Sequence, residues 1–346
     1  IIILIIRDHR VKNEEISIKL FANNEEVLEI YEKETVKLRW EGTLIEQCTL
    51  SWREKIFEQL QPSGEKEITE YLTVGTYNIT ITCDVIANQE KETVSDEVTI
   101  QVKPQIPVGW IKVPPTMVAG EIVEPFLVMK YEAKKCHVED RVVSKPEETP
   151  WVNISQKEAG LECALIGGSL IEDLQWMAIA QDIASVDENW TGGEKGVGYI
   201  SQGHSDGDPN QALAVINEDN KQKRGLKLSN NEIIWDFAGN VQEWTRDSIG
   251  ENKMPEFAIG WIEYNQINDN DFIGEIQHIR PLEGNWGSQK GIGKLYVPDI
   301  MHDASHGFVR GGAWDFREKS GIFALNLGYA SGHKSDKIGF RCVKSL

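Results

Sequence analysis

Basic side chains are scarce in this chain. Its 36 Lys and Arg stand against 55 Asp and Glu, a net charge of −19 over 346 residues. Nucleic acids and anionic membranes attract basic surface, so this balance argues against either as a partner. Long apolar runs are missing too. Ile1 to Ile6 falls far short of the ~20 residues needed to span a bilayer, and no other segment comes near that length. The run reads either as a first strand or as the remnant, within residues 1–10, of a trimmed signal or anchor segment. No zinc spacing and no CxxC pair occurs among the five cysteines, Cys48, Cys83, Cys136, Cys163 and Cys342. Two disulfides plus one buried thiol are allowed, and with them an oxidising compartment. Internal repeats and low-complexity tracts are absent. What is present is 40% apolar and 26% charged sequence, the balance of a folded soluble protein, at a length that suits two domains.

The first hundred residues read as all-β. Val36, Leu38 and Trp40 alternate with charged residues, Tyr77, Ile79, Ile81 and Cys83 with Asn and Thr, and Val98, Ile100 and Val102 repeat the pattern. A period of two marks strands with one buried face, and Pro62-Ser-Gly64 and Val74-Gly-Thr76 mark turns between them. The expected architecture is a small sandwich over residues 1–104. Lys103 to Val108 carries two prolines and reads as a linker. Beyond it, over 105–346, the expectation is α+β. Ile122 to Tyr131 reads as a strand, and Ser169 to Ile183 as an amphipathic helix with Ser169 as its N-cap. Two long stretches rich in glycine and polar residues, 186–227 and 249–308, suggest irregular chain.

The final segment alternates on a larger scale. Phe308 to Trp314, Gly321 to Leu327 and Ile338 to Cys342 are apolar and glycine-rich, whereas Asp315 to Ser320 and Gly328 to Lys337 are polar and unpatterned. The apolar runs read as buried strands and the polar runs as loops on one surface, a rigid frame presenting adaptable side chains. Between Asp236 and Glu243, two carboxylates and Asn240 surround a glycine turn, the oxygen-rich setting a hard cation prefers. The same groups could instead hydrogen-bond the turn with no ion. His204-Ser205-Asp206 has triad residue types, but neighbours in sequence cannot converge on one reacting atom. His302 and His306 have helical zinc spacing without helical periodicity, and Asp206 to Asn210 starts like a calcium loop but has no glutamate in register downstream. Asn78, Asn153 and Asn189 fit the glycosylation pattern.

Three ordered motifs, Asn231 to Thr245 with its Asp236-Phe-Ala-Gly-Asn-Val-Gln-Glu243 centre, Arg310-Gly-Gly-Ala-Trp314 and Ile338-Gly-Phe-Arg-Cys342, resemble the C-type-lectin-type fold of formylglycine-generating enzymes. More narrowly, they resemble the variable proteins of diversity-generating retroelements that use that fold. The likeness begins near Val123 and runs to the end. In the enzymes the matching turn binds calcium, which would make the ligands the side chains of Asp236 and Glu243 and the carbonyls of Gly239 and Val241. Calcium is the only cofactor this implies, and none is required. The two reactive cysteines of the enzymes fall at about Phe316 and Gly321, which supply no thiol, so the resemblance implies no oxidase and a chain that is not an enzyme.

For a variable protein the binding positions, within about 308–346, would be Ala313, Asp315, Phe316, Arg317, Gly328, Tyr329, Ser331, Gly332, His333, Ser335 and Asp336. All belong to the set reached by changing the first two bases of an Asn codon. Glu318 and Lys337 share the surface but need Lys-type template codons or are fixed. The implied partner is a protein on another cell, virus or host surface, with this chain displayed on a cell surface or virion. Rivals are an enzyme of the same superfamily with non-thiol chemistry and a structural virion or surface-layer component. The region from Trp40 to Cys83 is similar to Ig-like modules of surface proteins. That likeness implies a Cys48–Cys83 disulfide between the sheets, against the alternative of two buried thiols.

Overall fold

The computed structural model describes residues 16–70, 72–85, 92–103, 105–136, 140–215, 222–250, 259–268, 278–281, 283, 285–299 and 305–346. The expectation for Ile1 to Ile6 and the His302 end of the histidine pair lie outside the described residues. The chain divides into two units, 1–105 and 106–346.

The first unit is built from strands alone among its described residues. In order these are β1 (Ser17–Ala22), β2 (Val27–Tyr31), β3 (Val36–Thr43), β4 (Ile45–Trp52), β5 (Lys55–Leu60), β6 (Gly64–Ile68), β7 (Gly75–Val85) and β8 (Thr93–Lys103). Sheet order β1-β3-β6 faces sheet order β2-β8-β7-β4-β5 across one apolar core. The alternation decides which residues fill it. Leu38 and Trp40 point inward from β3, Ile79 and Ile81 from β7, and Val98 and Ile100 from β8. Cys48 and Cys83 are bonded, but they lie opposite each other on β4 and β7, neighbours in one sheet. The bond ties adjacent strands, not two sheets as expected, because the stretch between them folds back as the hairpin partner β5 and the edge strand β6 before β7 returns beside β4.

The second unit opens with β9 (Trp110–Val113), β10 (Thr116–Val118), β11 (Glu121–Val123), β12 (Phe126–Met129), β13 (Ala133–Cys136) and β14 (Arg141–Ser144). The single strand expected over 122–131 is therefore two, broken at Pro125, which has no N–H for a ladder. Helix α1 (Gln156–Leu165), β15 (Ser169–Leu170) and helix α2 (Asp173–Ser185) follow. Ser169 does not cap α2. Its backbone pairs with the chain's last strand, and the helix starts only after that pairing ends, with Glu172 as its N-cap. The remaining strands are β16 (Gly225–Lys227), β17 (Ile233–Trp235), β18 (Gln242–Ile249), β19 (Gly260–Ile262), β20 (Leu295–Val297), β21 (His306–Arg310), β22 (Leu325–Asn326), β23 (Ile338–Phe340) and β24 (Cys342–Ser345).

A mixed sheet in the order β19-β20-β22-β21-β18-β23 gathers the carboxy-terminal strands, and a second, β15-β24-β12-β9, closes the end of the second unit onto that unit's own first strands. Trp176 of α2 stacks on Phe237 at 3.9 Å and donates its indole N–H to Ile322 O at 2.8 Å. Cys342 is buried and bonded to Cys163 of α1, so with Cys48–Cys83 the chain holds two disulfides, the count its five cysteines allow. Cys136 is the free cysteine.

Arg310, fully buried at the end of β21, grips Asp173 at the start of α2 through two bonds of 2.6 and 2.7 Å. Burial alone would raise the Asp173 carboxyl, but the guanidinium and His278 outweigh it and hold the group at about 2. A folded-state value below the unfolded one, about 3.9, means that this stability is complete above pH ~4 and is lost as pH falls towards 2. Asp173→Asn strands the guanidinium and is expected to cost about 3–5 kcal/mol. It should also flatten the acid limb of a stability-against-pH curve measured by urea denaturation.

Candidate ligand-binding surface

The end of the chain alternates between buried frame and open loop. After β21, Gly311 and Gly312 both adopt φ of +86°, a left-handed conformation that other residues resist. A Cβ at Gly312 would also lie 2.3 Å from Ser320 Oγ. This turn tucks Ala313 and Trp314 inward, where Trp314 N–H donates to Asn240 O at 3.0 Å and Trp314 O accepts from Gly207 N–H at 2.7 Å. The chain then surfaces at Asp315 and Phe316, makes a 3-10 turn over Arg317–Lys319, and dives again at Ser320. Residues 320–327 are buried, 328–337 return to the surface, and β23 is buried throughout.

Of the positions nominated from sequence, Arg317, Glu318, Gly332, His333 and Asp336 are exposed, and Asp315, Phe316, Gly328, Tyr329, Ser331, Ser335 and Lys337 are partly so. Ala313 is not on the surface. Its side chain is fully buried because the double-glycine turn points it into the frame, and its carbonyl accepts from Ser320 Oγ at 3.1 Å. Gly328 is constrained, since a Cβ there would come within 2.7 Å of the Tyr296 ring.

The exposed residues interlock. Asp315 and Lys337, one from each loop, pair at 2.5 Å, and the Lys337 ammonium sits 5.4 Å from the Trp314 ring. Phe316 meets Trp261 edge-on at 5.6 Å, Trp261 lies against Tyr296 at 5.1 Å, and Lys319 caps Trp261 at 5.3 Å. Tyr329 stacks on His333 at 4.8 Å. Lys334 reaches Glu158 on α1 at 2.6 Å, and that bond, with those from the Ser155 cap, keeps the Glu158 carboxyl at about 2. Trp261 and Tyr296 escaped the sequence reading because they come from the irregular 249–308 stretch and reach the surface only through the pairing of β19 with β20.

The turn nominated for calcium does not fit a cation. Both Asp236 oxygens accept from Arg224, at 2.6 and 2.7 Å, and both Glu243 oxygens accept from Arg341, at 2.5 and 2.6 Å. All four side chains are buried, so two guanidiniums already neutralise the carboxylates that Ca²⁺ would need. Burial raises the Glu243 carboxyl and Arg341 draws it back. The carbonyls of Gly239 and Val241 thus lack the charged partners that would complete a site. Asn240 instead bonds Leu213 in both directions and Glu132 through its side chain. Among the described residues no cluster of His, Cys, Asp or Glu could hold a metal.

His204, Ser205 and Asp206 do not converge: His204 is buried with Nε2 on Gln211 O at 2.9 Å, and Asp206 is 4.0 Å from its other nitrogen. Asp206 receives the Asp208 N–H, a local turn bond. Among the glycosylation patterns, Asn189 is buried and bonds Ile183 O and Lys227 O.

Residues 58–346 match the sulfatase-modifying factor enzyme 1-like domain. The chain belongs to that family. The match reaches back into the strands of the first unit, beyond the start near Val123 read from motifs. Mostly strand with few helices, the second unit has a C-type-lectin-like fold. No curated protein matches the chain. Among solved structures it is similar to PvdO from Pseudomonas aeruginosa, at 14% identity over 69% of this chain and 92% of that one, TM-score 0.33. It is also similar to the P3c and M1 variants of Major Tropism Determinant. These are 11% and 10% identical over 88% of this chain and 73% and 72% of theirs, with TM-scores of 0.34 and 0.36. Among the described residues no helix is long and apolar enough to cross a membrane.

The frame and the surface should separate in a stability measurement. Alanine at Arg317, His333 or Asp336 is expected to shift unfolding by less than about 0.5 kcal/mol. Ala313→Phe forces a ring into a filled interior and is expected to cost about 1–3 kcal/mol or more.

Proposed function

We propose that this chain is a non-catalytic recognition protein whose two carboxy-terminal loops carry a binding site diversified by a retroelement. The observation that carries the reading is the burial pattern. Residues 315–319 and 328–337 reach solvent while the segments on either side of them lie in the core. Such a site can change its side chains with little cost to the fold. Phe316 and Tyr329 are partly exposed aromatics of the kind that dominate interface energies, flanked by small and polar residues that adapt. The ligand is a protein at another cell, virus or host surface, met by a shallow patch. The amino-terminal unit serves as an Ig-like spacer in a protein displayed on a cell or virion. The absence of cysteine at Phe316 and Gly321 supports a loss of the thiol chemistry. Membership of a family described by an enzyme favours the second reading, catalysis by other groups, which requires turnover of a substrate at the same patch.

Two measurements test the proposal. Sequencing the gene across a population is expected to place substitutions at Asp315, Phe316, Arg317, Tyr329, Ser331, His333, Ser335 and Asp336 and none at Gly311, Gly312, Trp314, Gly339 or Phe340. An even spread over the domain would defeat it. With a ligand in hand, Phe316→Ala or Tyr329→Ala should weaken binding by at least about tenfold, an interface hot-spot loss of ~1.4 kcal/mol or more, with the folded state intact.

A further inference from the structure

Beneath the surface site the interior holds an amine that the frame leaves without a use. Lys134 of β13 is fully buried, and its Nζ has no hydrogen-bond partner. Its nearest carboxylate oxygen is Glu132 Oε2, 3.7 Å away. That same oxygen accepts from the side-chain amide of Asn240 at 2.6 Å. Glu132 and Asn240 are also fully buried. The other Glu132 oxygen accepts from Val241 N–H at 3.1 Å, which fixes the carboxyl between amine and amide. Leu213 N–H donates to Asn240 Oδ1 at 2.8 Å, so a backbone dipole already polarises the amide carbonyl. Glu132 is the carboxyl of this cluster with no paired guanidinium contact, since Arg224 takes Asp236 and Arg341 takes Glu243.

We propose that Lys134 Nζ and Asn240 Cγ are joined by an intramolecular isopeptide bond, formed without any other enzyme and with Glu132 as the proton shuttle. The neutral amine attacks Cγ, and the new C–N bond forms as the Cγ–Nδ2 bond breaks. Glu132, as the carboxylic acid, gives its proton to the departing nitrogen and recovers one from the attacking Nζ. One ammonia leaves. Nothing is oxidised or reduced, and no co-reactant is needed. The Leu213 N–H faces the oxygen on which negative charge develops, and confinement in one buried cluster replaces the encounter of two free groups.

Burial favours the reacting forms of both groups. It lowers the Lys134 amine and raises Glu132 to about 8, with Asp236 adding to the rise. Asp236 is the poorer electrophile, because two bonds from Arg224 hold it as a carboxylate. The bond would tie β13 to the turn whose Asn240 carbonyl receives Trp314, directly under the first surface loop. This inference is independent of what the surface binds.

Intact mass spectrometry of the denatured, reduced full chain tests it. The wild type is expected one ammonia lighter than its sequence requires, and digestion should release a branched peptide joining Lys134 to Asn240. Lys134→Arg, Asn240→Ala and Glu132→Gln should each keep the full sequence mass. Asn240→Asp should lose water instead and arrive at the wild-type product mass, which a merely structural role for Asn240 does not produce. Wild-type chain at its full sequence mass overturns the proposal, whatever the variants do.

Discussion

Three guanidinium–carboxylate pairs sealed from water set the geometry on which the rest of the second unit depends. Arg310 joins the end of β21 to the start of α2 across 137 residues, Arg341 joins the closing strands to β18 across 98, and Arg224 reaches Asp236. Each carboxylate receives two parallel bonds, an arrangement that fixes orientation as well as distance. Removing six charges from water is expensive, so the net stability such pairs add over well-packed apolar residues is small. Their contribution is register. Arg310 also donates to Phe323 O, and Arg341 to the carbonyls of Met129 and Trp235, so these two guanidiniums fix backbone as well as a carboxylate.

With the ends pinned, the proposed variation falls on the loops between them, whose positions are not independent. The Asp315–Lys337 pair couples the first loop to the last residue of the second, and the Lys337 ammonium leans on the buried frame residue Trp314. A change at either position leaves a half-buried charge without its partner, so these two positions form one unit of variation. Phe316 is likewise coupled to Trp261, which lies outside both loops. The adaptable surface thus rests on an aromatic floor supplied by sequence-distant strands.

What the sequence reveals follows from the range of the forces involved. Period-two alternation in β3 and β7 is a local consequence of one buried face, and it is legible from a few residues. The frame-and-loop rhythm after Phe308 is legible for the same reason. Asp236 and Glu243 read as ion ligands because spacing shows which oxygens are close along the chain and not which cations lie across from them. Arg224 and Arg341 change the answer, and nothing near the turn announces them. The Cys163–Cys342 bond spans 179 residues and has no local signature. Ser169 misled because its residue type suits an N-cap, while its backbone was claimed by β24.

A surface that varies, as proposed for this one, has to be anchored by contacts that do not depend on the side chains that vary. The second loop meets this condition at α1. Asn153 N–H donates to Ser335 O at 2.9 Å and Gln156 N–H to Ser331 O at 3.2 Å, with Gln156 the first residue of the helix. The N–H groups of a first helical turn have no partner within the helix, so the Ser331 carbonyl satisfies a donor of α1 that would otherwise need water, and the Ser335 carbonyl holds the chain just ahead of the Ser155 cap. Both acceptors are backbone oxygens and survive any substitution at Ser331 or Ser335 except one that redirects the chain. Cys163, on the same helix, is bonded to Cys342 four residues past Ile338, so the shelf that receives the loop and the strand that follows it are one covalent body. Substitution of exposed residues such as Gly332, His333 or Asp336 leaves both of these backbone closure points in place.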